Sequence, residues 1–130
     1  MKSSNGPAPS GELALRVVAL ERDTNANGDI YAGWLMSQMD LAAANMAGRI
    51  AKGRTATVCV DKMEFLSPVR VGAEVSCYSQ LTDIGRSSMK IQVEVWTRDP
   101  CQTQERKVTE TQFVFVAIDG DGRIRPVPEQ

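Results

Sequence analysis

The chain has 130 residues, a length for one domain whose folding covers roughly two thirds of the surface its unfolded chain exposes. Its 15 Lys and Arg against 16 Asp and Glu leave a net charge of −1, without the positive excess that binding nucleic acid through phosphates needs, and its 42% hydrophobic and 24% charged residues are those of a folded globular chain. It has 0 His, which removes Ser-His-Asp and Cys-His nucleophilic schemes, imidazole-ligated zinc and histidine proton shuttles.

Residues 1–11 (MKSSNGPAPSG) read as a flexible N-terminal tail, with one Lys but no apolar stretch to make a signal peptide, and residues 12–130 as the folded domain. Glu12 to Leu20 has the length and composition of a strand. The segment DTNANGDIYA that follows is rich in Asn, Asp and Gly and predicts a tight, ordered loop. Gly33 to Gly53 is the one clear helix. At about 100° per residue, Leu35, Met39, Ala42, Ala43, Met46 and Ile50 share one side, and Gln38, Asn45, Arg49 and Lys52 lie opposite. Lys52 and Gly53 close it with a basic last turn and a glycine stop.

Four strands are expected downstream, at Ala56–Leu66, Ala73–Asp83, Ser87–Thr97 and Lys107–Ile118, separated by Gly, Pro and Asp-rich connections. In the third, Met89, Ile91, Val93 and Val95 alternate with Lys90, Gln92 and Glu94, the pattern of a strand with one wet face. The last, apolar on both faces from Phe113 to Ile118, is expected inside the sheet. The order predicts an α+β domain, one long helix packed on one antiparallel sheet of about five strands. One helix cannot cover both sheet faces, so a second copy is expected to supply missing cover and part of any ligand pocket. No run approaches the roughly 20 apolar residues that cross a bilayer, so no membrane partner is expected. Cys59, Cys77 and Cys101 make neither a CxxC pair nor an even framework, which points to a reducing, cytoplasmic compartment, with Cys59 and Cys77 as small core residues.

Asp40 is the exception on the helix. It falls among Met36, Ala43, Ala44, Ala47 and Ala51, inside an arc that is otherwise apolar or small. A partly desolvated carboxylate in a cleft is the commonest general base open to a chain without His, while an aspartate at such a border also serves to bond main chain or complete an ion pair. Asp23, Asn25, Asn27 and Gly28 begin like a calcium loop, but Trp34 stands where the bidentate Glu belongs, so no metal is expected. The loop delivers the chain into the helix N-terminus, where free N–H groups form an oxyanion or anion site; there Gly33 either lets a carbonyl approach or lets helix and strand pack closely. Gly85, Arg86, Ser87, Ser88 and Lys90 supply two charges and two hydroxyls at one turn, fit for phosphate oxygens or simply for solvent. Arg49, Lys52 and Arg54 add to that charge if they lie nearby.

Taken together, DTNANGDIYAGWLMSQMD, the small-residue helix, TVCVDKMEFLSPVRVG, GRSSMKIQVEVW and FVFVAID resemble the YciA-type acyl-CoA thioesterases of the hotdog superfamily, over about residues 12–128. The resemblance implies a hotdog fold and hydrolysis of acyl-coenzyme A to free acid and coenzyme A without metal or organic cofactor. It implies Asp40 as general base or nucleophile, Asn25 as a residue holding water or substrate across a dimer interface, and Gly33 as the main-chain N–H that polarises the thioester carbonyl. Ala32 stands where the family usually has the first of two glycines and is expected to line the same site. Gly85, Arg86, Ser87, Ser88 and Lys90 match the segment that meets the nucleotide and phosphates of coenzyme A, and Thr57 and Val58 the pantetheine tunnel. Self-association as a dimer, and as a hexamer built from three dimers, also follows from the likeness. A non-catalytic acyl-CoA-binding hotdog protein is the competing reading: it would keep the Arg86 and Lys90 contacts without needing Asp40.

Overall fold

The alternation of buried and exposed residues along the C-terminal half is what a sheet lying on one helix requires, and a computed structural model, which describes residues 8–130, realises it. Strand β1 (Glu12–Val18) leads through a short 3-10 turn to helix α1 (Ala32–Ala51), followed by β2 (Thr55–Val60), β3 (Glu74–Ile84), β4 (Ser88–Arg98) and β5 (Arg106–Ala117). All neighbours pair antiparallel in a 5-stranded sheet of order β1-β3-β4-β5-β2, so β5 is interior, as its two apolar faces predict. Of the expected tail, residues 1–7 lie outside the described residues; the Ser10 amide donates to Glu94 Oε1 at 3.3 Å.

The helix packs on the sheet through Leu35, Met39, Ala42, Ala43, Ala47 and Ala51, which meet Val75, Cys77, Ile91, Val93, Val95, Phe113 and Phe115. The alanines are short enough to let the helix axis approach the sheet, while each fully buried Leu, Met or Phe contributes about 2 kcal/mol. Met46 and Ile50 lie half-buried against the same core. Burial pushes the Cys77 thiol up to about 12, so it is an inert core residue and not a nucleophile.

Several expectations are corrected. Helix α1 ends at Ala51, and Lys52, not Gly53, takes the left-handed stop, at φ 54°. Gly53 leaves room for a side chain instead: a Cβ there would lie 2.7 Å from Arg125 Nη2, and Arg125 donates to the free Ala51 carbonyl at 2.8 Å, placing a cation at the negative end of the helix. The strand expected through Leu66 stops at Val60, because Thr109 Oγ1 bonds the Glu64 carbonyl (2.7 Å) and Thr111 Oγ1 bonds the Asp61 and Lys62 carbonyls (3.0 and 3.1 Å), replacing a regular ladder with side-chain bonds. The wet face of β4 is dry at Glu94, which is 7% exposed: it accepts from the Ser10 amide and from the buried Trp96 Nε1 at 2.8 Å. Cys59 is exposed rather than in the core because β2 is an edge strand.

The turn Asp99–Gln102 is closed by Gln102 N donating to Asp99 O at 3.0 Å, with Cys101 at φ 68°. Pro followed by a left-handed residue is the type II pattern, in which glycine avoids the clash of a Cβ with its own carbonyl. Cys101→Gly is therefore expected to raise stability by about 0.5–1 kcal/mol, read as a higher urea midpoint at unchanged slope. An unchanged or lower midpoint would show that relief of the clash does not exceed the entropy that glycine adds to the unfolded chain.

Candidate functional site

The loop before α1 is organised by its own side chains. Asn25 Oδ1 accepts from the amides of Asn27 (2.9 Å) and Asp29 (3.2 Å), and the Asn25 amide donates to the Asp29 carbonyl at 2.7 Å. This commits the oxygen end of Asn25 to the loop and leaves its side-chain nitrogen without a partner among the described residues. Main-chain bonds from Ile30 to the Val69 carbonyl and from Tyr31 to the Asp23 carbonyl, both 3.0 Å, fix where the helix starts.

That start is uncapped. Tyr31 occupies the cap position without a side-chain bond, and no acidic residue stands in the first turn. Trp34 and Leu35 both direct their amides to the Tyr31 carbonyl, at 3.1 and 3.5 Å, and the amides of Ala32 and Gly33 have no acceptor among the described residues. Two donors at the positive end of a 20-residue helix are thus presented outward. A Cβ on Gly33 would meet the Tyr31 ring at 3.3 Å, so the glycine accommodates an aromatic ring of its own turn rather than a packed strand.

Asp40 lies on the same helix, half-buried, beside exposed Met36 and the small residues Ala43, Ala44 and Ala47. Its Oδ1 accepts from Thr57 Oγ1 at 2.8 Å, which ties the carboxylate to the sheet and leaves Oδ2 free of hydrogen bonds among the described residues. Strand β2 pairs with β5 on one side, and its other edge carries unpaired main-chain groups. Val58 is the extra residue of a bulge between Thr57, opposite Phe115, and Cys59, opposite Val114, and it is 56% exposed. Seven residues separate Gly33 from Asp40, about 10.5 Å along the axis at 1.5 Å per residue, so the two share a face but cannot touch one reacting carbon. Asn25 does not meet Asp40 either. It opens instead on a cavity of about 230 Å³ lined also by Asp29, Ile30, Ala32, Leu35, Phe65, Ser67, Pro68 and Val69.

The turn between β3 and β4 lies at the other end of the helix. Its carbonyls are engaged: Ser88 O by the Gly85 amide (2.8 Å), Ser87 O by Ala117 (2.9 Å) and Arg86 O by Val127 (2.7 Å). A Cβ on Gly85 would sit 2.7 Å from Ser88 Oγ. Arg86 and Lys90 are exposed and have no ion pair among the described residues. The Arg54 carbonyl accepts from Ile118, next to Ala117, and Arg125 binds the helix end, so the structure gathers Arg54, Arg86 and Arg125 around the end of β5. Arg49 is drawn off to Glu12. Arg125 was not singled out by sequence; its signal was a cation just past the Asp119–Gly122 turn, where Asp119 accepts the Arg123 and Asp121 amides that hold its carboxyl below the usual range.

A family model of the thioesterase superfamily matches residues 27–103, which contain the end of the loop after Asn25, α1, β2 and the Gly85–Lys90 turn. The acyl-CoA thioester hydrolase YciA of Salmonella typhimurium is 50% identical over 125 residues, 94% of each chain. The chain belongs to the YciA-type hotdog thioesterases. Among solved relatives, a hexameric broad specificity acyl-coenzyme A thioesterase superposes with a TM-score of 0.90 at 46% identity, covering 100% of this chain and 90% of the other. A hexameric hotdog fold thioesterase of Campylobacter jejuni superposes at 0.85 with 36% identity, covering 91% of both. The single helix against five antiparallel strands is the hotdog arrangement that the resemblance implied, and no helix among the described residues is long and apolar enough to cross a membrane.

Proposed function

We propose that this thioesterase hydrolyses the thioester of acyl-coenzyme A to a carboxylic acid and coenzyme A, with Asp40 as its base and the Gly33 amide as its oxyanion donor. The observation that carries this reading is the Asp40 carboxylate, held by Thr57 at 2.8 Å with one oxygen free, beside an exposed strand edge in a chain with 0 His. A thioester has an electrophilic carbonyl and a good leaving group, so one base and one oxyanion donor suffice. Asp40 Oδ2 takes a proton from water as the water oxygen bonds the carbonyl carbon. The carbonyl oxygen, now anionic, is stabilised by the Gly33 N–H; collapse breaks the carbon–sulfur bond, and the coenzyme A thiolate recovers the proton from Asp40.

Two subunits are needed to assemble these groups. Within one chain Gly33 lies about 10.5 Å beyond Asp40, on the side away from Arg86. A two-fold partner joined along the open edge of β2 runs its helix in the opposite sense and brings its Gly33 and Asn25 toward Asp40, while Thr57, Val58, Arg86, Ser87, Ser88 and Lys90 come from the same chain as Asp40. The exposed apolar Val58, Val60 and Met36 are then covered. In this arrangement the pantetheine arm passes Thr57 and Val58, and the phosphates meet the Arg86 turn, supported by Arg54. We assign a hexamer of three such dimers, as in the solved relatives, and a cytoplasmic setting, which three unpaired cysteines fit.

Purified protein offered acetyl-, hexanoyl-, decanoyl- and palmitoyl-CoA is expected to release free thiol with at least one of them at a rate far above the uncatalysed reaction. Binding of coenzyme A with no turnover of any ester would overturn the assignment and leave an acyl-CoA-binding protein.

A further inference from the structure

The two loop residues of the hairpin between β3 and β4, Arg86 and Ser87, are held by both of their carbonyls. A hairpin tip is ordinarily the mobile, solvated end of the element. Here the Ser87 carbonyl accepts from the Ala117 amide at 2.9 Å and the Arg86 carbonyl from the Val127 amide at 2.7 Å, and the Gly85 amide closes the tip on the Ser88 carbonyl at 2.8 Å. Val127 stands between Pro126 and Pro128. Proline has no N–H and a fixed φ, so Val127 carries the one amide donor of that stretch, on a backbone stiffened from both sides, and the donor goes to Arg86.

Arg125 fixes where this stretch starts. Its amide bonds the Ala117 carbonyl at 3.0 Å, and its guanidinium reaches three carbonyls: Ile118 from Nε (3.0 Å), Pro126 from Nη1 (3.3 Å) and Ala51, the last residue of α1, from Nη2 (2.8 Å). Gln130 Nε2 adds a second tie to the helix end, at the Ile50 carbonyl (3.0 Å). A guanidinium directed at three main-chain carbonyls faces the protein, whereas that of Arg86 is exposed.

We propose that Arg125 and the segment Pro126–Pro128 form a strap that positions the Arg86 turn for the phosphates of coenzyme A. Arg125 is in this sense a positioning residue, acting through Val127 on the main chain of Arg86. A cation on a fixed base loses less conformational freedom when a phosphate binds than one on a mobile tip, so the strap raises affinity without touching the ligand. Its effect is confined to substrates that carry the phosphates.

The proposal rests on the thioesterase reading, and acyl esters of pantetheine, which have the thioester and its arm without the nucleotide, make the two separable. In the wild-type protein kcat/KM is expected to be higher for hexanoyl-CoA than for hexanoyl-pantetheine. Arg125→Met is expected to lower this ratio of the two esters at least about fivefold, through a raised KM for the CoA ester with kcat within about twofold of wild type. A general loss of structure would lower both esters alike and leave the ratio where it was. Gly53→Ala separates position from charge and decides the matter if Arg125→Met does not fold. Its Cβ, 2.7 Å from Arg125 Nη2, displaces the flexible guanidinium from the Ala51 carbonyl while every charge stays in the molecule. The ratio is expected to fall at least about threefold in that variant. Absence of turnover with both esters in the wild-type protein would overturn the thioesterase reading itself. Wild-type turnover with a ratio near one, or a ratio within about twofold of wild type in either folded variant, would overturn the strap alone.

Discussion

Asp40→Asn is expected to lower thiol release from every acyl-CoA ester at least about a hundredfold while the melting temperature stays within a few degrees of wild type. Asparagine keeps a carbonyl oxygen to accept from Thr57, so the bond that ties α1 to β2 survives, and it keeps the size of the side chain among Ala43, Ala44 and Ala47. What it loses is the capacity to take a proton from water. A general base contributes about a hundredfold to ten-thousandfold, and an equally preserved oxyanion donor and binding surface account for residual turnover above the uncatalysed rate. The matched measurement is coenzyme A binding by calorimetry, expected to be within a few-fold of wild type because Arg86 and Lys90 are untouched. Undiminished turnover in a folded Asp40→Asn variant would sink the assigned role. Loss of binding and of melting temperature together would instead mark Asp40 as a structural carboxylate.

How much of this was legible beforehand depends on the range of the interaction. The period of Leu35, Met39, Ala42 and Ala43 is local and predicted the buried face of α1, and Asp40 stood out because it violates that local pattern. Strand β5 announced its interior place by being apolar on both faces. The errors came from partners distant in sequence. Glu94 looked solvated because the alternation of β4 shows neither the bond it accepts from Trp96, two residues on, nor that Ser10, 84 positions earlier, folds onto its strand. The stretch 61–66 looked like strand because its apolar content is that of a strand, and only the hydroxyls of Thr109 and Thr111, 45–50 residues away, explain why it leaves the ladder. The gathering of Arg54, Arg86 and Arg125 follows from the β5 register and from the C-terminal segment crossing the helix end, neither of which composition encodes. The motif residues Asn25, Gly33 and Asp40 were visible individually; that one chain cannot bring them to one carbon follows from helix rise alone, once all three are on the same element or its entry loop.

That separation makes a quantitative prediction about mixed oligomers. Asn25→Asp keeps an oxygen in place to accept from the Asn27 and Asp29 amides, but removes the free side-chain nitrogen and puts a charge at the site, so its homo-oligomer is expected to fold and to lose at least about tenfold in kcat. Asp40→Asn homo-oligomers are nearly inactive for the separate reason given above. When the two variants are co-expressed with different affinity tags, or unfolded and refolded together, a dimer containing one of each places both lesions in one of its two sites and none in the other. Random pairing makes about half of the dimers mixed, so activity is expected to return to about a quarter of wild type per total site. If Asp40 and Asn25 instead served the same site from the same chain, every site in every mixture would carry one lesion, and the mixture would stay as inactive as its parents. Recovery therefore depends on the two-subunit construction of the site and on nothing else that the variants change, since each lesion remains present in the same amount before and after mixing.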